Sequence, residues 1–241
     1  HIEFPGEVPT NATRITKLVQ VEGNQSGLPT NFGYSSARAH LRESTGTYAA
    51  PGEVVTITVP PRLVDSGAFI LVGAHSDNLW GKEQLHRHPE IVRWWHINQT
   101  NMEVGNAFGG TIYVAFEAGS QLGDVEVTIS NAVESPTYMH GESSISDWLE
   151  NDRLNPAPWA EIGSDQFILT VPSHEIRELD NPDELMDWWD QALIMEHELY
   201  GFLPWPRIER AVFDAQISAG WMHSGYPFMA HDLSVESVVN V

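Results

Sequence analysis

The nearest approach to a helix-borne metal-binding pair in this chain is His197-Glu198. A helix-borne zinc site needs a second histidine four residues after the first, so that both imidazoles face one metal. Position 201 is Gly201, so the pair reads as ordinary polar residues near a helix end. His86, His88 and His96 lie close together with Glu83 and Glu90 nearby. Alternate strand residues share a face, which would let His86 and His88 meet one ion. Pro89 instead marks a loop, no third ligand is fixed, and the histidines read as loop residues. Gly73-Ala74-His75-Ser76-Asp77-Asn78 is rich in oxygen donors, but short Asx and Ser side chains close turns by bonding their own backbone. It offers too few local ligands for calcium and reads as a turn. There is no cysteine, which removes disulfides, thiolate metal sites and cysteine nucleophiles. Neither a G-x-S-x-G elbow nor a glycine-rich phosphate loop is present. No pattern therefore assigns a catalytic residue or a metal ligand.

The most unusual stretch is Gln216-Ile217-Ser218-Ala219-Gly220-Trp221-Met222-His223-Ser224-Gly225-Tyr226-Pro227-Phe228-Met229-Ala230. Two glycines and a proline interrupt it, and aromatic and histidine side chains crowd the same place. Irregular segments of this kind, carried on a rigid scaffold, often carry function.

The first half of the chain supplies the scaffold as strands. These are expected over residues 14–21, 53–59, 68–74, 91–97, 111–116 and 125–129, each bounded by turn residues. Val55, Ile57 and Val59 point one way, while Val54, Thr56 and Thr58 point the other. Short strands at this spacing predict an antiparallel β-sandwich. Trp94 and Trp95 are adjacent on one strand and face opposite ways, so one lies outside the core unless another element covers it.

No helical period of useful length precedes about residue 140. Residues 144–149 read as a short helix, 167–171 as a strand, and Ser173 as the cap of a turn. The clearest helix starts with Asn181 as N-cap and Pro182 at the first helical position, followed by Asp183 and Glu184. Leu185, Trp188, Trp189, Ala192, Leu193 and Leu199 follow its period, and Gly201 stops it. A strand over 210–218 leads into the irregular stretch. The fold class is thus mostly β: an antiparallel β-sandwich followed by an α+β segment. The division falls softly between residues 132 and 143, giving domains 1–135 and 136–241.

The 241 residues are 41% hydrophobic with nine tryptophans, ample for a core. No apolar run reaches the ~20 residues of a membrane span. The formal net charge is -21, and Lys17 and Lys82 are the only lysines. Such a surface repels nucleic acid and anionic membranes. It reads as a solvated acidic exterior, with an acidic patch for cationic partners or calcium as the lesser reading. No signal peptide opens the chain, which leaves location open.

Three stretches carry a family resemblance. The segment 216–230 quoted above, Thr45-Gly46-Thr47-Tyr48-Ala49-Ala50-Pro51-Gly52-Glu53-Val54-Val55 and Ala157-Pro158-Trp159-Ala160-Glu161-Ile162 resemble, in family order, the M60-like (enhancin-type) zinc metallopeptidases. The resemblance implies an accessory β-domain ahead of the start of a gluzincin-like catalytic domain. It implies a secreted or surface protein, bacterial by expectation, whose parent enzyme cleaves O-glycosylated, mucin-type proteins with zinc. O-glycosylated proteins or their glycans are the implied partners, without nucleic acid or membrane insertion. The zinc motif HExxH is not in these residues and is expected after Val241, so the chain by itself is expected to be inactive. In gluzincins an edge strand beside the zinc pairs with extended substrate, which implies that Ser224, Gly225, Tyr226, Pro227 and Met229 line a substrate cleft. The alternative for that segment is a structural loop filling the domain junction. For the whole chain it is a non-catalytic glycan- or protein-binding module.

Overall fold

In a computed structural model, residues 4–27, 36, 38–201 and 206–240 are described. Eight strands come first: β1 (Ile15–Asn24), β2 (Leu41–Ala49), β3 (Val54–Thr58), β4 (Phe69–Val72), β5 (Arg93–His96), β6 (Asn101–Gly105), β7 (Gly110–Phe116) and β8 (Gln121–Glu134). They form one antiparallel sheet in the order β5-β4-β7-β2-β8-β3-β6, with β1 also on β8. The long β8 makes the connection: residues 128–130 pair with β3, while Val133 and Glu134 pair with β2. The sheet folds back on itself into a near-barrel. Val55 and Ile57 of β3, Ile70 and Val72 of β4, Ile112 and Val114 of β7, and Val125, Val127 and Ile129 of β8 fill its interior. The alternation expected at β3 is what is seen, with Val54 and Thr58 outside.

Two of these strands, β2 and β6, have no counterpart among the expected ones. β2 is Leu-Arg-Glu-Ser-Thr-Gly-Thr-Tyr-Ala, too polar to read as a buried strand. It is covered on both faces because its polar groups are used in contacts described below. β7, mostly apolar and paired with β2 and β4, is buried along its whole length. At Gly110 (φ 146°), an added Cβ would lie 2.5 Å from the Cα of Gly73, so only glycine permits this approach of β7 to the end of β4.

The second sheet is mixed and runs β13-β14-β12-β11-β10-β9. Its strands are β9 (Thr137–Met139), β10 (Trp159–Gly163), β11 (Phe167–Pro172), β12 (Glu209–Asp214), β13 (Met222–His223) and β14 (Phe228–His231). Helices α1 (Ile145–Glu150), α2 (Pro182–Tyr200) and α3 (Val235–Val239) accompany it. One face, including Ile162, Leu169, Val171 and Phe213, packs with Trp148, Leu185, Met186 and Val235 from the helices. The other face lies against the first sheet, where Leu71 and Tyr113 meet Val212, Ile217 and Met229.

α2 begins as its sequence implies: the Asn181 side chain accepts from the Glu184 amide, and Gly201 closes the helix in the left-handed region at φ 69°. Its buried stripe is narrower than the periodicity predicts. Leu185 and Met186 are buried and Trp189 and Leu193 half-buried, while Trp188 and Leu199 face solvent. Ser173 is not a cap. Its hydroxyl donates to the Ala157 carbonyl at 2.7 Å, which ties the turn to β10. The strand expected over 210–218 ends at Asp214, because the Asp214 carboxylate turns the chain by accepting from the Gln216 amide. Among the described residues, no helix is long and apolar enough to cross a membrane.

Candidate functional site

The irregular stretch 216–230 sits where the two sheets meet, and charged groups that both sheets bury position it. On the second sheet, Glu161 of β10 and Arg210 of β12 face the first sheet, each at most 3% exposed. Arg210 Nη1 donates to Glu161 Oε1 at 2.7 Å, and the Tyr113 hydroxyl of β7 donates to the same oxygen at 2.9 Å. Arg210 Nη2 donates to the Arg42 carbonyl and to Ser44 Oγ, both on β2 and both at 2.7 Å. Burial pulls the Arg210 pKa down, but Glu161 and the neighbouring tyrosines more than restore it, so the guanidinium is held firmly charged. Burial pushes the Tyr113 phenol well up, and Glu161 adds to the rise, so it stays a donor. A second buried pair lies alongside. Arg87 grips Asp214 with Nε and Nη2 at 2.7 to 3.0 Å, and both side chains are fully buried. Such bidentate pairs fix orientation as well as charge. This one staples the 77–92 loop of the first sheet to the end of β12.

Beyond Asp214 the chain forms a rim. Asp77 Oδ2 accepts from the Ser218 amide at 2.6 Å and lies 2.8 Å from His223 Nε2. Ser218 Oγ is 3.1 Å from that same Nε2, while His223 Nδ1 faces the Ser224 carbonyl at 2.9 Å. The three residue types match a hydrolytic triad, but the wiring does not. A triad needs the carboxylate on one ring nitrogen and the serine on the other, so that a proton crosses the ring. Here both share Nε2, which makes the group a clamp. Burial lowers the His223 pKa, the Asp77 and Ser224 contacts raise it, and the rise prevails. Trp221 stacks on His231, with centroids 4.7 Å apart and planes 13° apart, and so holds the rim against β14.

Behind the rim, on the helix side of the sheet, is a cavity of about 630 Å³. Trp189 of α2, Phe213, Phe228, Trp221, Met222 and Ser224 line it. Trp221 and Met222 are themselves mostly exposed. β13 is the last strand of the sheet, so its outer edge has no strand partner among the described residues.

The structure distributes the five residues expected to line a cleft. Ser224 is exposed at the cavity mouth. Gly225 (φ 137°) makes the bend that follows it. Tyr226 turns to the junction: its hydroxyl accepts from the Arg42 amide at 3.1 Å, and Arg207 lies over its ring at 4.8 Å. Pro227 is buried, and Met229 packs in the apolar part of the junction. β14 is paired on both sides, so the edge available for strand addition is β13. Trp221, Met222 and His223 therefore join Ser224 at the cavity, and sequence reasoning had not singled them out as site residues. Their signal was the aromatic and histidine crowding after Gly220. Nor did it find Arg42, Tyr113, Glu161 and Arg210. Only Glu161 carried a signal, a single charged residue inside an otherwise apolar strand, which marks a paired buried charge.

The donor set does not fit zinc. Among the described residues, no three His, Cys, Asp or Glu side chains converge to hold a metal. His197 is buried near the end of α2 with Gly201 one turn on, and His88 packs on Phe108.

Residues 131–241 match the family model for Peptidase M60, enhancin and enhancin-like, and residues 11–130 match that for the N-terminal domain of M60-like peptidases. A TRPM8 channel-associated factor homolog of Xenopus laevis is 38% identical over 199 residues, covering 82% of this chain and 22% of the relative. The Danio rerio homolog is 39% identical over the same length and shares. The chain thus spans about a fifth of the length of these curated relatives. The catalytic module of the metalloprotease ZmpA from Clostridium perfringens superposes with a TM-score of 0.68 at 12% identity, over 92% of this chain and 50% of that one. IMPa from Pseudomonas aeruginosa in complex with an O-glycopeptide gives 0.62 at 19% identity, over 94% and 29%. At these identities the solved structures share the fold.

Proposed function

The chain belongs to the M60-like, enhancin-type peptidase family, and from that membership we propose that it forms the accessory sheet and the substrate-side wall of a peptidase acting on O-glycosylated proteins. In this reading residues 1–135 are the accessory domain and 136–241 begin the peptidase domain. The protein works outside the cell or at its surface.

The observation that carries the reading is the outer edge of β13 beside an apolar cavity. An extended peptide adds to such an edge through main-chain hydrogen bonds, and neighbouring pockets take alternate side chains. Trp221, Met222 and Ser224 are placed to contact it. The clamp of Asp77 on His223 and Ser218 keeps that edge in register with the rest of the molecule. Zinc supplies the water activation in M60 enzymes. The residues described here would bind and orient substrate, and they furnish no ligand for the metal. The O-glycopeptide bound by IMPa supports a glycoprotein substrate.

The test is incubation of the chain with an O-glycosylated mucin and with glycopeptides from it, with and without added zinc. Glycopeptides bind, W221A weakens binding about tenfold, and no cleavage occurs. Chelator-sensitive cleavage by the chain alone would sink the reading.

A second reading rests on the curated relatives, which are named for association with a channel and not for hydrolysis. In that case the same rim serves as a protein-docking edge, and the glycopeptide assay is silent.

A further inference from the structure

The first sheet has its own cavity, on elements separate from the rim. It holds about 440 Å³ beside β5, between the 77–92 loop and the turn joining β6 to β7. Trp80, His88, Glu90, Arg93, Trp95 and Phe108 line it. We propose that this cavity binds a neutral pyranose sugar, independently of any peptidase activity.

The aromatic groups come first. Trp80 is 65% exposed, a large apolar ring left in water. Its ring meets His88 edge-on at 6.0 Å, and His88 lies over Phe108 at 4.8 Å with the planes 34° apart. Together they offer flat apolar faces at differing angles. The axial C–H bonds of a pyranose pack on such a face, while its equatorial hydroxyls point outward to polar groups.

Those polar groups are present. Glu90 accepts and Arg93 donates, both exposed at the cavity, and the two together suit a vicinal diol. The indole N–H of Trp95 is buried and has no acceptor among the described residues. Buried donors are nearly always satisfied, so an unpaired one in a cavity wall points to an acceptor supplied from outside. A carboxylate at the mouth of a protein of net charge -21 disfavours anionic sugars.

The framework is rigid. The Asn106 amide donates to the carbonyls of Val72 at 3.0 Å and Ile91 at 2.7 Å, and its oxygen accepts from the Phe108 amide at 3.1 Å. Trp80 stands next to the fully buried Leu79, whose amide bonds the Pro89 carbonyl at 3.0 Å. The buried Arg87–Asp214 pair anchors the same loop. A cavity of this size that combines aromatic faces with a few polar groups is a usual form of small-ligand site.

The experiment is a glycan array of the whole chain carrying neutral galactose-, glucose- and N-acetylhexosamine-terminated oligosaccharides and their sialylated forms. Titration of the strongest neutral ligand, followed by ¹⁵N-resolved indole signals, then locates it. Neutral glycans bind, and the Trp95 indole N–H signal shifts. W80A and E90Q, both at exposed positions, each weaken binding about tenfold, the scale of one lost stack or charged hydrogen bond. W221A, at the rim, leaves this binding unchanged. Silence across the neutral array, binding retained in W80A, or binding lost in W221A overturns the proposal. The last of these would still leave the rim reading intact, so the two fail separately.

Discussion

Arg210 is buried among groups from both sheets, and its removal would strand a carboxylate. In R210M, Glu161 keeps its bonds to Tyr113 and Thr170 but loses its counter-charge. Breaking such a pair from one side costs about 3–5 kcal/mol, while replacing both partners with apolar groups costs far less. Urea unfolding of R210M and of R210M/E161L checks this, with the double variant the more stable of the two. His223 gives the pH-dependent counterpart. Its folded pKa is raised, so its contribution to stability is full below the ordinary value of about 6.5 and fades as pH climbs through the raised one. His75 has the opposite sign: burial and nearby Arg87 hold it well below that value, so its contribution is lost as pH falls. Global unfolding blends the two, whereas an NMR titration resolves them. His223 should titrate above 6.5 and fall in D77N, and a His223 pKa indifferent to D77N would remove the clamp from the account.

Among the elements, those whose local chemistry agrees with their burial were readable from sequence. α2 announced itself through Asn181, Pro182 and Gly201, and N181A should cost about 1 kcal/mol in thermal or urea unfolding. β3 was legible because one face is buried and the other wet. β2 was not, because its polar side chains are sequestered by partners distant in sequence, and no local period reports that. The same blindness widened the apparent stripe of α2: Trp188 and Leu199 keep the period but face solvent. Gly110 makes an element-scale prediction of its own. G110A would drive a methyl into the Gly73 backbone, which has no flexible end to yield, so it should cost several times more than an ordinary surface change and lower the melting temperature accordingly.

For the molecule as a whole, the lead-in of strands and the later α+β segment could be read from the chain, and so could the region of interest around 216–230. The assignment of individual side chains within it could not. Tyr226 and Ser224 are two residues apart, yet one is spent on the junction and the other opens to the cavity, and only the bend at Gly225 separates them. The wiring of that junction has a practical consequence for protein engineering. Arg42, Ser44 and Tyr113 come from one half and Glu161, Arg210 and Tyr226 from the other, and hydrogen bonds tie the two sets together across the boundary. A chimaera that grafts the front of one relative onto the back of another must therefore transplant all six together. A graft that respects sequence boundaries but splits this set would inherit a mismatched lock, and should express as a poorly soluble protein even if each piece came from a stable parent.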